Sequence, residues 1–191
     1  GANLQVNGMT CDGTYLYAAT VSGILRGKLD DPTLVDFRSW YTYVPADGLN
    51  IGNYSGVSFF NNFVYATRGD TLFKLENSIW STDMVRNGYG IRKIEAGATK
   101  LVLSQIGSAG TRVMTINKEG VMDSVYSGQP YQAIEDGNAI WIADLYEGLK
   151  KSMPDYYEIF YPNGPSTASV FDLAVNASTH NLYVAPGGYN A

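Results

Sequence analysis

The 191-residue sequence predicts an all-β protein: a β-propeller of four complete four-stranded blades plus a partial fifth, belonging to a larger propeller. Three observations carry that expectation. A short pattern recurs, as "GTYLYAATVSGILRGK" from Gly13, "NNFVYATRGDTLFKL" from Asn61, "GNAIWIADLYEGLKKS" from Gly137 and "THNLYVAPGG" from Thr179. Aligned copies place the second-strand aromatic at Tyr17, Tyr65, Trp141 and Tyr183, with Val102 of the weaker copy "KLVLSQ" between them, at steps of 48, 37, 39 and 42 residues. A period near ~40 with about four short strands per unit marks sheets stacked radially, because one small sheet cannot bury both faces alone. The composition agrees: 15 Tyr, 21 Gly and 13% aromatics suit strands and tight turns, and helical periodicity is missing.

The blades follow in chain order, approximately 3–50, 51–90, 91–130, 131–168 and a partial 169–191, all within one domain, 1–191. The first reads "LQVNGMT", an Asp12-Gly13 turn, "YLYAAT", "GILRGKL" and "FRSWYTY". The second reads "SGVSFF", an Asn61-Asn62 turn, "FVYATR", "TLFKLE" and "SIWSTD"; the third "IRKIEA", "KLVLSQ", "TRVMTIN" and "VMDSVYS". The fourth reads "YQAIED", an Asp136-Gly137 turn, "AIWIAD", "GLKKS" and "YYEIFY". Asp-Gly between alternating apolar runs is a strong hairpin signal, since both positions tolerate positive φ. Only "VFDLAVN" and "NLYVAP" of a fifth are present. The expectation is therefore a fragment whose half blade leaves unpaired backbone groups and promotes self-association through that edge.

Composition also excludes partners. A formal charge of −5 argues against a phosphate-tracking surface, so no nucleic acid is expected. Cys11 is the single cysteine, which removes internal disulfides, multi-thiolate zinc sites and CxxC redox pairs and leaves the compartment open. No apolar run approaches the ~18 residues that span a bilayer. No cofactor or metal is expected either: "DGTYLYAAT" and "EDGNA" lack the alternating oxygen ligands of calcium loops.

"GNAIWIADLYEGLKKS" resembles the two-component-regulator type propeller repeat, with its turn, Leu/Ile-Trp-Ile strand, small residue, Thr or Asp, and Gly-Leu opening the next strand. "YLYAATVSGILRGKLDDPTLVDFRSW" resembles the first blades of PorZ-like proteins of the type IX secretion pathway, and "PNGPSTASVFDLAVNASTHNLYVAPGG" is similar to a later segment of that family. The resemblance implies an extracytoplasmic protein, periplasmic or at the cell surface, that takes part in export and in attaching lipopolysaccharide to cargo. Propellers with the same repeat also form periplasmic sensor halves of hybrid histidine kinases, and that is the alternative function. These segments consist of strand and turn residues, which specify a fold rather than a chemistry.

Candidate chemistry is sparse. His180, the one histidine, lies in the turn "NASTHNLY" and reads as a solvated turn residue. A pair with Cys11 would need those two blades to adjoin. Asp144 and Glu147 flank a predicted loop, but nothing enforces the ~5 to 9 Å carboxyl separation a glycosidase needs. A glycan-active enzyme is the remote reading, and no catalytic residue is assigned. Tyr17, Tyr65, Trp141 and Tyr183 are expected to pack between blades. The binding surface is expected on the face shared by the loops between blades and the loops joining second and third strands. There Tyr54, Tyr89, Tyr131 and Tyr146 would offer flat apolar plates among Asn50, Asn87, Gln129, Asp144 and Asn163. Such a surface suits a glycan, lipopolysaccharide or protein partner bound without turnover.

Overall fold

The computed structural model describes residues 4–125, 128–153, 156–160 and 170–186. Among them the strands form four antiparallel four-stranded meanders and one two-stranded sheet. The chain divides into two compact units, Gly1–Ile94 and Glu95–Ala191.

In the first unit, β1 (Val6–Cys11), β2 (Tyr15–Thr20), β3 (Gly23–Lys28) and β4 (Tyr41–Thr42) make one blade; β5 (Gly56–Phe60), β6 (Phe63–Arg68), β7 (Thr71–Glu76) and β8 (Ile79–Val85) make the next. Period-two alternation sends Tyr17 and Ala19 of β2 to one face, where they meet Ile24, Tyr43, Val57, Val64, Ala66 and Trp80 across both sheets. Trp80 stands edge-on to Tyr43, ring centroids 5.6 Å apart at 90°. The sheets approach closely here: a Cβ on Gly8 would touch Gly56 Cα at 3.4 Å, and one on Gly56 would meet Ile94 Cγ2 at 2.7 Å. Hydrogen bonds fix the register of the two blades, from Phe59 N to Thr10 Oγ1 (2.9 Å) and from Tyr54 N to the Thr20 carbonyl (3.0 Å).

Turn chemistry sets the hairpins. Asn61 and Asn62 take φ of 50° and 65° between paired Phe60 and Phe63, and Asn77 and Ser78 take 50° and 66° between Glu76 and Ile79. Positive φ at both central residues matches the twist of the flanking strands. Asp12 builds the first turn by accepting from Thr14 N (2.8 Å), Tyr15 N (2.7 Å) and the Tyr17 hydroxyl (2.9 Å). In the fourth blade the register pairs Asp136 with Ala139, so the two turn residues are Gly137 and Asn138, one position later than the sequence suggested. The positive φ, 59°, falls on Gly137.

"FRSWYTY" does not form the expected strand. Asp36 caps a 3-10 turn over Phe37–Ser39, and only Tyr41–Thr42 pair with β3. The cause is a local fold-back: Trp40 Nε1 donates to the Leu34 carbonyl (2.9 Å), and both side chains rest on Gly27, where a Cβ would collide with Leu34.

The third sheet comprises β9 (Gly90–Ala96), β10 (Lys100–Gly107), β11 (Gly110–Asn117) and β12 (Met122–Val125), and the fourth comprises β13 (Pro130–Asp136), β14 (Ala139–Asp144), β15 (Gly148–Ser152) and β16 (Tyr157–Phe160). A two-stranded sheet of β17 (Val170–Asn176) and β18 (Asn181–Pro186) follows. In the second unit, Val102 and Val113 pack on Ala133, Ile140 and Ile142, while Ala143 and Leu149 pack on Leu173. The repeated aromatics do not share one environment. Tyr17 is buried and Tyr65 and Trp141 are half-buried, but Tyr183 is 57% exposed. Leu182 and Val184 take the inward positions of β18, so alternation turns Tyr183 outward.

Candidate functional site

Asp144 ends β14 and is fully buried, which makes it a brace rather than part of a binding surface. Its Oδ2 accepts from Gln129 N (2.6 Å), and its Oδ1 accepts from Tyr146 N and Glu147 N (2.9 Å each). The neighbouring Leu145 N donates to the Gln129 carbonyl (3.0 Å), so one carboxylate and one backbone bond tie the loop before β13 to the loop after β14. Three amide donors satisfy a buried carboxylate that would otherwise be costly to bury. Glu147 pairs with Lys150. The brace brings Gln129, Asp144 and Tyr146 together and presents Tyr146 to solvent, 76% exposed. Tyr131 is half-buried at the start of β13.

The first unit holds Asn50, Tyr54, Asn87 and Tyr89. Asn50 and Asn87 are exposed and Tyr89 is half-buried, its N–H donating to the Arg86 carbonyl (2.8 Å). Tyr54 is no plate for a ligand: it is fully buried, donates its hydroxyl to the Asn50 carbonyl (2.9 Å) and lies beneath Arg68, whose Cζ is 5.9 Å from the ring centroid. Its apolar ring serves the blade core and its hydroxyl closes the preceding loop. Asn163 lies outside the described residues. Cys11 is exposed and free, and His180 is exposed in a turn with φ of 54°. Among the described residues no group of three or more His, Cys, Asp and Glu could hold a metal ion, and no helix is long and apolar enough to cross a membrane.

The second unit contains a groove of about 550 Å³ at the opposite, hairpin end of the sheets. Its walls are the ends of three successive first strands: Glu95 and Ala96 of β9, Gln132 and Ile134 to Asp136 of β13, and Leu173 to Val175 of β17. The turns after them add Gly97 and His180. That volume lies in the range of small-ligand sites. Glu135 shapes the groove by accepting from Thr99 N (2.8 Å), Lys100 N (3.1 Å) and the Thr99 hydroxyl, which latches the β9–β10 hairpin onto β13. Gly97 permits the approach, since a Cβ there would collide with the Glu135 side chain. Gln132, 6% exposed, donates from Nε2 to Glu95 Oε1 (2.9 Å), while its Oε1 has no hydrogen-bond partner.

Sequence reasoning missed this groove. The signal is an acid at or near the end of two first strands, Glu95 in "IRKIEA" and Glu135-Asp136 in "YQAIED", of which Asp136 alone reads as turn chemistry.

No protein-family model matches the chain, and no curated protein matches it, so neither search supports the PorZ-like resemblance or a role in type IX secretion. Solved structures do match. Two crystal structures of the extracellular domain of BT4673 from B. thetaiotaomicron, described in one as a one component system and in the other as a hybrid two component system, superpose with TM-scores of 0.75 and 0.72. Each is 11% identical over 94% of this chain and 26% of that one, so the chain spans about a quarter of their length. The WD40 β-propeller domain of Doa1 gives a TM-score of 0.64 at 11% identity, over 99% of this chain and 71% of that one. The fold is a β-propeller. At such identities the likeness extends to fold alone.

Proposed function

We propose that this chain is a non-catalytic binding module whose ligand enters the groove over β9, β13 and β17, within the extracytoplasmic part of a membrane sensor. The observation that carries the reading is the concave groove of about 550 Å³ itself, with Asp136 and the apolar strip of Ile134 and Leu173 to Val175 on its walls. Binding rather than turnover is the reading because two of the acids the sequence offers are already committed to structure, one in the groove and one at the loop end of the sheets. Glu135 is spent on latching a hairpin and Asp144 on joining two loops, so neither is poised for proton transfer. The sensor context draws on the BT4673 likeness and on the regulator-type repeat.

A second surface is proposed on the loops of the Glu95–Ala191 unit, where the exposure of Tyr146 beside Gln129, with Tyr131, favours a glycan or protein partner; in the Gly1–Ile94 unit, Asn50, Asn87 and Tyr89 are proposed separately as loop contacts. A role in lipopolysaccharide attachment rests on sequence resemblance alone.

The test is calorimetric titration of the purified chain against amino acids, polyamines, monosaccharides and disaccharides, with each ligand analysed afterwards. Saturable binding that Gln132→Leu weakens, with ligand recovered unchanged, supports the reading. Chemical conversion of a ligand overturns it.

A further inference from the structure

We infer that a second ligand site lies between the third and fourth sheets, where a cleft of about 400 Å³ takes a small zwitterion, an α-amino acid with an apolar side chain. The inference goes beyond the groove reading and does not depend on it.

Strand register decides which side chains face the cleft. Val102 and Val113 of the third sheet pack on Ile140 and Ile142 of the fourth, which closes the deep end. Alternation puts Lys100 on the same face as Val102, and Asp123 joins them because it pairs with Thr115, which pairs with Val102. On the opposite wall, Ile140 pairs with Ser152 and Ser152 with Tyr157, so these three form one cross-strand row facing the third sheet. Lys100, Asp123, Ile140, Ser152 and Tyr157 all line the cleft, with Val125 at its apolar floor.

Three polar groups there are unused by the protein. Lys100 donates its backbone N–H to Glu135, but its ammonium meets no carboxylate among the described residues. Asp123 accepts from Ser124 N through Oδ1 (2.8 Å), which leaves Oδ2 without a partner among them. Ser152 is 7% exposed, and its hydroxyl meets no hydrogen-bonding group among the described residues. Unlike Gln132 Oε1, that hydroxyl is not sealed from solvent; it opens onto the cleft. A nearly buried hydroxyl with no protein partner is uncommon and calls for one from outside.

Opposite charges on one wall that do not pair with each other suit a ligand carrying both. The carboxylate of an α-amino acid would accept from the Lys100 ammonium and the Ser152 hydroxyl, while its ammonium would donate to Asp123 Oδ2. Its apolar side chain would cover Val125 and Ile140, with the Tyr157 ring flanking it. A simple anion would instead face Asp123, and a simple cation would face Lys100.

Leucine is the probe in calorimetric titrations of the purified chain at pH 7. The controls are 4-methylpentanoate, which is leucine without its ammonium, and 3-methylbutylamine, which is leucine without its carboxylate. Leucine should bind more tightly than either control by on the order of 10-fold. Lys100→Gln and, separately, Ser152→Ala should each weaken leucine on the order of 10-fold at an unchanged melting temperature. Asp123→Asn should erase the difference between leucine and 4-methylpentanoate, a readout that a loss of folding does not produce. Asp136→Asn, in the groove, should leave leucine binding as it is. Controls that match leucine, or no leucine binding at all, overturn the inference and leave the groove reading standing. Leucine binding that survives both Lys100→Gln and Ser152→Ala also overturns it, and its loss in Asp136→Asn would then assign the amino acid to the groove.

Discussion

Replacing Asp144 by Asn separates a structural carboxylate from a catalytic one. Asn retains an oxygen where Oδ1 meets Tyr146 N and Glu147 N, but puts an amide nitrogen where Oδ2 now accepts from Gln129 N at 2.6 Å. One charge-assisted bond, of about 1.5–3 kcal/mol, becomes a donor facing a donor, and the other two lose their charge. The site is fully buried, so water cannot repair the mismatch. The loss should be about 3 kcal/mol, which for a chain of this size lowers the melting temperature by about 6–12 °C. Calorimetry should record that shift, and hydrogen exchange should accelerate at the Gln129, Tyr146 and Glu147 amides. A variant that melts within a degree of the parent would refute the brace.

Other substitutions probe other parts of the account. Gly48 has φ of 90°, and a Cβ would run into the Trp80 carbonyl, so Gly48→Ala should destabilise by about 2–4 kcal/mol in a denaturant titration. Trp80, 2% exposed, should cost about 3–5 kcal/mol when cut to Ala, whereas half-buried Trp141 should cost about 1–2 kcal/mol, and the same titration ranks them. Burial, with the charges of Asp83 and Glu76, pushes the Tyr65 phenol up to about 12. Its neutral form thus contributes stability that is present below about pH 10 and lost as pH rises through about 12, and Tyr65→Phe should flatten unfolding curves across that window. Burial raises the carboxyl of Asp12, but bonds from Tyr15, Thr14 and Tyr17 outweigh it and the net shift is downward. Stability from Asp12 is accordingly present above the ordinary value of 3.8 and lost as pH falls below it, and Asp12→Ala should remove that part of the acid transition.

The blades were legible because their signals are local. "YLYAAT", "FVYATR" and "AIWIAD" are each short, mainly apolar runs set between turns, and they appear as β2, β6 and β14 with the same bounds. "FRSWYTY" differs because its aromatics suit a strand, while the deciding contact is a fold-back of Trp40 onto Leu34 over Gly27 of β3, which alternation within the segment does not report. Tyr183 misled for a related reason: its repeat position is that of Tyr17, but facing depends on what lies opposite, and Leu182 and Val184 hold the packed side. The site was less legible still. Tyr54 reads as a loop aromatic although its surroundings come from β2, β5 and β7 across the chain. The groove gathers Glu95, Gln132 and Val175 from three strands at separations no local pattern reports, and an unpartnered acceptor has no sequence signature.

The central claim, that the first-strand groove is a binding site, is tested most directly by amide chemical-shift mapping during titration with the tightest-binding polyamine or saccharide. The account predicts saturable shifts confined to Glu95–Gly97, Gln132–Gly137 and Leu173–Val175. Shifts centred instead on Gly128, Gln129 and Leu145–Glu147, with the groove amides unmoved, would contradict it.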